Sequence, residues 1–288
     1  MTAELRDTAV IVVNFNSAHD VASLLAGLPT DATRGVLVVE NGSDDSATEL
    51  RLLEQLSSVH VVRADENRGY AAGVNDGLRA ARAWGCAYAV VVNPDSRPTI
   101  DSLVAVRRAL ADAGVVGVQQ VTGPPERPVR YVTAAVGQFP WPRPFACPGC
   151  SLGVHDVAAV SGAILGIDIE VARRAGGLDE RFFHYKEEVD FCRRAASTGS
   201  RIRWLCRPEV WHARGMSLPR RSPAAHYYRV RNEILFARVV VGPKVWAYPR
   251  LSVAVARLGA DAVRDRAGRA AVRAMIDGVR GRGGMVPQ

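Results

Sequence analysis

The first 112 residues alternate between short apolar runs and amphipathic stretches, and this rhythm constrains the fold more than any other feature. Thr8-Ala-Val-Ile-Val-Val13 is a β-branched run suited to a strand buried on both faces. Ser17 and Asp20 offer N-cap chemistry for a helix that carries Val21, Leu24, Leu25 and Leu28 at helical spacing. A second strand over Gly35 to Val39 ends in the turn-rich Glu40-Asn-Gly-Ser-Asp-Asp45. A helix is expected over Ser46 to Leu56, a strand over Val59 to Val62 and a helix from Tyr70 to Trp84. The next strand, Tyr88 to Val92, stops at Asn93-Pro94, and a helix follows from Asp101 to Asp112. Gly69, Gly73 and Gly77 recur every four residues, which suits a helix packed closely on a sheet.

Strands separated by helices at this interval imply βαβ units, an α/β class and a mostly parallel central sheet. Ligands in such sheets bind beyond the carboxyl ends of the strands. The polar clusters Asn14-Phe15-Asn16, Glu40-Asn41, Asp65-Glu66-Asn67 and Asn93-Pro94-Asp95 all stand at such ends. Further on, seven prolines crowd Gly114 to Pro148, which reads as irregular with short strands and loops. Val157 to Ile169 returns to strand-like order, and the remainder reads as helix and loop. The expected organisation is an α/β half over 1–113, a second half of the same domain over 114–240, and a basic helical tail over 241–288.

The net charge of +8 is uneven: Gly242 to Gln288 carries nine basic residues against three acidic ones. Such a tail suits an anionic membrane surface or a phosphate-bearing partner, and equally a solvated helical face. It lacks the interleaved aromatics of a nucleic-acid-binding segment, so no nucleic-acid partner is expected. The N-terminus shows no signal peptide, and the longest apolar stretch, Val239 to Val255, is interrupted by Gly242-Pro243-Lys244 and Pro249-Arg250. A cytoplasmic location follows as the expectation. Five cysteines argue against a full disulfide framework. Cys147-Pro-Gly-Cys150 has metal-ligand spacing, but no second Cys-x-x-Cys exists, and Cys192, Cys206 and His155 are the loose candidates to complete a zinc site. Reduced thiols in a proline-rich loop are the expectation.

Two downstream strings are unusual: Gly176-Gly-Leu-Asp-Glu-Arg-Phe-Phe-His-Tyr-Lys-Glu-Glu-Val-Asp-Phe-Cys-Arg193 and Trp211-His-Ala-Arg-Gly-Met-Ser217. Together with Asn93-Pro94-Asp95, Val12-Val-Asn-Phe-Asn16, Glu40 to Asp45 and Asn67-Arg-Gly-Tyr-Ala-Ala-Gly-Val-Asn75, the chain resembles glycosyltransferase family 2, in particular its rhamnosyltransferase-like branch. The resemblance covers roughly residues 8 to 238. It implies an A-type glycosyltransferase fold, a Rossmann-like nucleotide-binding half joined to an acceptor-binding half, and inversion at the sugar's anomeric carbon. It also implies a hexosyltransferase-type, metal-dependent activity. Asn14, Phe15, Asn16, Glu40 and Asn67 would form the nucleotide site. Asp95 would hold a divalent metal, Mg2+ or Mn2+, against the diphosphate, with His212 as a further metal ligand. Glu188 would be the general base, with Asp190 in reserve, and Phe183, His184, Tyr185 and Glu187 would border the acceptor.

The chemistry asked of these residues is coherent. A hard carboxylate suits a hard divalent cation, which stabilises charge on a departing diphosphate. By itself, however, Asn-Pro-Asp also makes a good turn. Two residues depart from the family pattern: Glu40 stands where Asp is usual, and Glu188 occupies the usual Asp position of the catalytic pair. Glu is a competent base, but one methylene longer, and about 1 Å of misplacement can cost on the order of a hundredfold in rate. The donor expected from the branch is a deoxythymidine-diphosphate deoxysugar, then a uridine-diphosphate sugar. The acceptor would be a lipid-linked saccharide or a small natural product. Peripheral membrane contact through the basic tail and a homodimer both remain open. The competing readings are a catalytically degenerate nucleotide-sugar-binding protein and a sugar-phosphate nucleotidyltransferase. The second lacks its glycine-rich basic loop at Asn14-Phe-Asn-Ser17.

Overall fold

The computed structural model describes residues 3–28, 32–43, 54–55, 58–124, 126–147, 153–213, 221–242 and 249–286. Most of the helix expected over 46–56 lies outside them, as do Cys150 and the Gly215-Met-Ser217 end of the second string. The first half follows the expected alternation. It runs β1 (Thr8–Asn14), α1 (Ala18–Gly27), β2 (Gly35–Asn41), β3 (Val59–Ala64), α2 (Tyr70–Ala83), β4 (Tyr88–Val92), β5 (Ser96–Arg97) and α3 (Ile100–Ala109). Every residue of β1 and β2 is buried, which is why these strands read as continuous apolar runs. The glycine spacing on α2 is accounted for by close packing. A Cβ on Gly73 would sit 2.6 Å from Val13, and one on Gly77 2.4 Å from Ile11, so the helix lies directly on β1.

The second half corrects the sequence reading in two places. Val115–Thr122, inside the stretch read as irregular, is β6, a strand of the central sheet. Its Gln119 and Gln120 interrupt the apolar pattern, yet both are buried. Gln119 donates to the backbone carbonyls of Gln120 (2.6 Å) and Tyr131 (2.9 Å). Short strands follow: β7 (Val129–Tyr131), β8 (Ala134–Val136), β9 (Arg143–Phe145), β10 (Val154–Asp156), β11 (Ala159–Val160) and β12 (Ile164–Asp168). After α4 (Ile169–Ala175) and α5 (Glu187–Ser197) comes the second correction, β13 (Ile202–His212), in a region read as helix and loop. Pro208 and three charged residues hide this strand, and its pairing with β6 shifts register between Leu205 and Val210.

The central sheet runs β10-β13-β6-β12-β4-β1-β2-β3. β1, β2, β3 and β4 are parallel, as are β6 and β13, and β12 runs antiparallel between these two blocks. Helices α6 (Pro223–Val241), α7 (Pro249–Arg264) and α8 (Gly268–Arg280) close the chain. They share an apolar cluster that includes Phe183, Tyr227, Tyr228, Leu251 and Ala274. The basic C-terminal segment is therefore helical and packs beside the 180s loop. No helix among the described residues is long and apolar enough to cross a membrane.

Candidate active site

Strand ends set out the first side of the site. Asn14 and Glu40 are register partners at the ends of β1 and β2, and both are buried. The Asn14 amide donates to Glu40 Oε2, and Glu40 Oε1 accepts from the Ser43 N–H at 2.6 Å. Asn14 Oδ1 accepts from the Ser17 hydroxyl at 2.9 Å, so the polar end of β1 is fully tied. Asn16 is exposed with a left-handed φ of 50°, and its N–H donates to Ser43 Oγ. Asn41 donates to Asn67 Oδ1 (3.2 Å) and the Gly69 carbonyl (3.1 Å), joining the β2 end to the turn before α2. A cavity lined by Phe15, Asn41, Asn67, Tyr70, Asn93 and His184 opens between these groups. A wider cleft of about 610 Å³, bordered by Arg79, Arg82 and Arg173 behind α2, shares no residue with it.

Asp95 follows β4 and is buried. Because β13 pairs antiparallel with β5, His212 lies opposite Ser96, and its Nε2 comes to 3.1 Å from Asp95 Oδ1. The other ring nitrogen, Nδ1, is 2.5 Å from the Tyr131 hydroxyl, which in turn donates to Gln120 Oε1. Two buried polar atoms beside Asp95, Asn93 Oδ1 and Ser96 Oγ, have no hydrogen-bond partner among the described residues. A carboxylate oxygen, an outward imidazole nitrogen held in orientation from behind, and nearby unsatisfied oxygens fit a divalent cation.

Glu187 and Glu188 open α5. Glu187 is buried, with Oε2 lacking a described partner. Burial, then the neighbouring Glu188, pushes its carboxyl well above the usual range; Glu188 is also raised, chiefly by burial. Tyr70 sits between the two sides: its hydroxyl donates to the Gly162 carbonyl at 2.9 Å. Burial and then the charges of Glu187, Glu188 and Asp95 raise its phenol well above the usual value. A Cβ on Gly162 would lie 3.5 Å from Glu188 Cβ, so the small Ser161-Gly162-Ala163 segment brings backbone against the glutamate. Asp190 is placed differently. It is fully buried and accepts from Arg193 (3.0 Å) and Arg194 (2.6 Å), while Arg194 also bonds the Gly177 carbonyl.

The loop before Glu187 is strained. Phe183, Tyr185 and Lys186 have φ of 62°, 72° and 75°, a region costly for side-chain-bearing residues. Three consecutive residues of α6 hold it. Arg231, fully buried, donates to the Arg181 and Phe182 carbonyls. The Asn232 amide reaches the carbonyls of Phe182 (2.8 Å), His184 (2.7 Å) and Tyr185 (2.8 Å), and Glu233 pairs with Lys186 at 2.8 Å. Phe183 stacks on Tyr228 with centroids 5.0 Å apart and lines the cavity together with His184. Burial, and then Arg229, lowers the His184 pKa to about 4, so its ring is neutral at pH 7. Tyr185 instead packs under the Arg229 guanidinium and does not line the cavity.

The structure thus gathers Asn14, Phe15, Glu40, Asn67, Asp95, His212, Glu187, Glu188, Phe183 and His184 along one edge, and sets Asp190 and Tyr185 aside. Sequence reasoning missed Tyr70 and the Arg231-Asn232-Glu233 triplet. The signal for the triplet was present: three consecutive polar residues that cannot all face solvent on one helix, running straight into the apolar Ile234-Leu-Phe-Ala237.

The model for glycosyl transferase family 2 matches residues 9–157, more than half of the 288-residue chain. This chain belongs to glycosyl transferase family 2. Among its relatives, the low-salt glycan biosynthesis hexosyltransferase Agl10 of Haloferax volcanii is 27% identical over 205 residues, which cover 66% of this family member but only 62% of that protein. The N-acetylglucosaminyl-diphospho-decaprenol L-rhamnosyltransferase of Mycobacterium tuberculosis is 25% identical over 244 residues, 75% of this chain and 79% of the relative. The solved mannosyltransferase PcManGT from Pyrobaculum calidifontis, in complex with GDP-Man and Mn2+, matches with a TM-score of 0.61 at 15% identity, over 96% of this chain and 87% of that one. GalNAc-T7 with UDP, GalNAc and Mn2+ also reaches 0.61, at 12% identity, over 80% of this chain and 48% of that one. The fold of this family 2 chain is the A-type glycosyltransferase fold, α/β with a mainly parallel central sheet.

Proposed function

We propose that this family 2 member is an inverting glycosyltransferase that moves a sugar from a nucleoside diphosphate to an acceptor hydroxyl. The observation that carries the reading is the meeting of Asp95 and His212 with Glu187 and Glu188 around Tyr70 at one sheet edge. The nucleoside lies against Phe15, in the pocket closed by the Asn14–Glu40 and Asn41–Asn67 pairs. Asp95 and His212 would hold Mg2+ or Mn2+, which supplies positive charge to the departing diphosphate. The Mn2+ complexes of PcManGT and GalNAc-T7 favour a metal of this kind.

The glutamate pair divides its roles by its unequal environments. Burial and the neighbouring charge raise Glu187 more strongly than burial raises Glu188, which makes Glu188 the member of the pair that gives up its proton more readily. Glu188 takes the proton of the acceptor hydroxyl as that oxygen attacks the anomeric carbon in line with the leaving diphosphate. Asp190 is already neutralised by two arginines, which favours Glu188 as the base. Gly162 and Tyr70 hold backbone and phenol against the base, and His184 presents a neutral face to the acceptor.

A deoxythymidine-diphosphate deoxysugar is the leading donor and a uridine-diphosphate sugar the second. The mycobacterial relative's name, an L-rhamnosyltransferase acting on a diphospho-decaprenol saccharide, favours a deoxysugar and a lipid-linked acceptor. Exposed Val263, Val272, Ile276 and Val279 among the arginines of α7 and α8 suit contact with an anionic membrane at its cytoplasmic face. The test is nucleotide diphosphate release from a panel of nucleotide sugars with Mg2+ or Mn2+, measured with and without a polyprenyl-diphosphate saccharide. Release that Asp95→Ala abolishes is the expected result. Tight nucleotide binding with no turnover for any donor and acceptor pair would overturn the reading in favour of a binding protein.

A further inference from the structure

Tyr131 and Gln120 stand behind His212, and their meeting follows from sheet register. Gln120 in β6 is the partner of Tyr131 in β7 and of Val210 in β13. Side chains on one face of a strand recur every second residue, so His212, two past Val210, shares a face with Gln120. The three side chains form a row. His212 Nδ1 lies 2.5 Å from the Tyr131 hydroxyl oxygen, and that hydroxyl donates to Gln120 Oε1, also at 2.5 Å. Gln120 is fully buried, and its Nε2 has no hydrogen-bond partner among the described residues. An amide buried with an unmade hydrogen bond is costly, so its place here calls for a gain elsewhere.

We propose that Tyr131 and Gln120 are positioning residues that fix the tautomer of His212 and so present its Nε2 lone pair to the divalent cation beside Asp95. The inference rests on the reading of Asp95 and His212 as a metal pair. A phenol carries one proton. With that proton given to the Gln120 oxygen, the phenol oxygen meets Nδ1 as an acceptor, and Nδ1 must carry the imidazole N–H. Nε2 is then left bare, 3.1 Å from Asp95 Oδ1. A neutral imidazole binds a metal through its unprotonated nitrogen, and the hydrogen bond made by the other nitrogen decides which one that is. With an apolar residue in place of Gln120, the phenol would turn its proton to Nδ1. Nε2 would then keep its own hydrogen and donate it to Asp95, occupying the carboxylate oxygen that faces the cation. The acceptor oxygen of Gln120 prevents that arrangement, which is the gain that offsets its unmade bond.

The test reads the ring directly, by nitrogen NMR of the metal-free full chain carrying isotope-labelled histidine in mildly alkaline buffer. The His212 signals are assigned by their loss in His212→Gln. The Nδ1–H tautomer is expected in the wild-type chain. Gln120→Leu should invert it to Nε2–H, and Tyr131→Phe, which keeps the ring's shape, should remove the preference. Titration with Mn2+ alone, followed by the EPR signal of the free ion, should show Kd raised about tenfold in both variants. An Nε2–H ring in the wild-type chain, or a tautomer that neither variant moves, would overturn the proposal. Mn2+ binding weakened by Asp95→Ala but by neither variant would overturn it and leave the metal pair standing. Binding indifferent to Asp95→Ala would overturn the metal pair and the proposal together. Should a variant fail to fold, the tautomer of the wild-type ring still decides.

Discussion

The proposed donor edge and the proposed base loop face each other across Tyr70, and they are held by opposite means. Asn14, Glu40, Asn41 and Asp95 each stand at or just past a strand's carboxyl end, and most of their partners lie on that same edge. The loop from Arg181 to Lys186 has no such frame. It carries three residues with unfavourable φ, and its carbonyls are held from α6, some fifty residues further along the chain. Backbone placed by a sheet needs little further support, whereas strained backbone persists only where surrounding groups over-determine it. The donor side should therefore tolerate loss of one peripheral contact, and the base side should not.

The largest effect is expected at the base. Glu188→Gln should lower kcat by about a hundredfold to ten-thousandfold and leave donor affinity nearly unchanged, measured by steady-state kinetics and donor titration. Activity retained in this variant would move the base role to Asp190. Because burial raises the Glu188 carboxyl, kcat should fall as pH drops through a midpoint above the ordinary carboxylate range. That acidic limb reports the proton that must leave before the residue can act as base.

Asp95→Ala should cost roughly a hundredfold or more, and the loss should include the metal dependence of donor binding. A third break tests the clamp directly. Asn232→Ala removes donors to three loop carbonyls without touching the cavity, and should lower kcat about tenfold to a hundredfold through displacement of Glu188. Asn232→Ala should leave nucleotide affinity intact; equal loss of donor binding would show that the two regions are not held independently.

The smallest effect concerns His184, whose pKa is lowered to about 4 by burial and Arg229. A lowered folded value means its contribution to stability is present above about pH 6.5 and is lost as pH falls toward 4. His184→Gln should lose less stability over that window than the parent, as read by denaturant unfolding at two pH values. An identical decline in both would show that the ring is not buried in solution.

The βαβ half was legible in the sequence because each signal was local. The all-apolar strands, the helical spacing of Leu24, Leu25 and Leu28, and the polar residues at strand ends lie within a few positions of the structures they specify. The second half was less legible because its signals are conditional on partners. Gln119 looks like a loop residue until β7 supplies the Tyr131 carbonyl its amide reaches, and Gln120 until the Tyr131 hydroxyl donates to its Oε1. Pro208 looks like a strand breaker until β6 accepts the shift in register. Arg231 and Asn232 gave only an anomaly, consecutive polar residues beside a buried apolar run, whose purpose depends on the carbonyls of a loop far away in sequence.

The sequence by itself determined which side chains stand at the strand ends and that the sheet is mainly parallel, since burial on both faces and period-two geometry act over single elements. Only the tertiary structure gave the acids their different surroundings. Asp190 and Glu188 are two residues apart with similar intrinsic acidity, and the chain cannot distinguish them until packing gives one two arginines and the other a place beside Gly162. Charge and desolvation are properties of the surroundings, and the surroundings are assembled only by the fold.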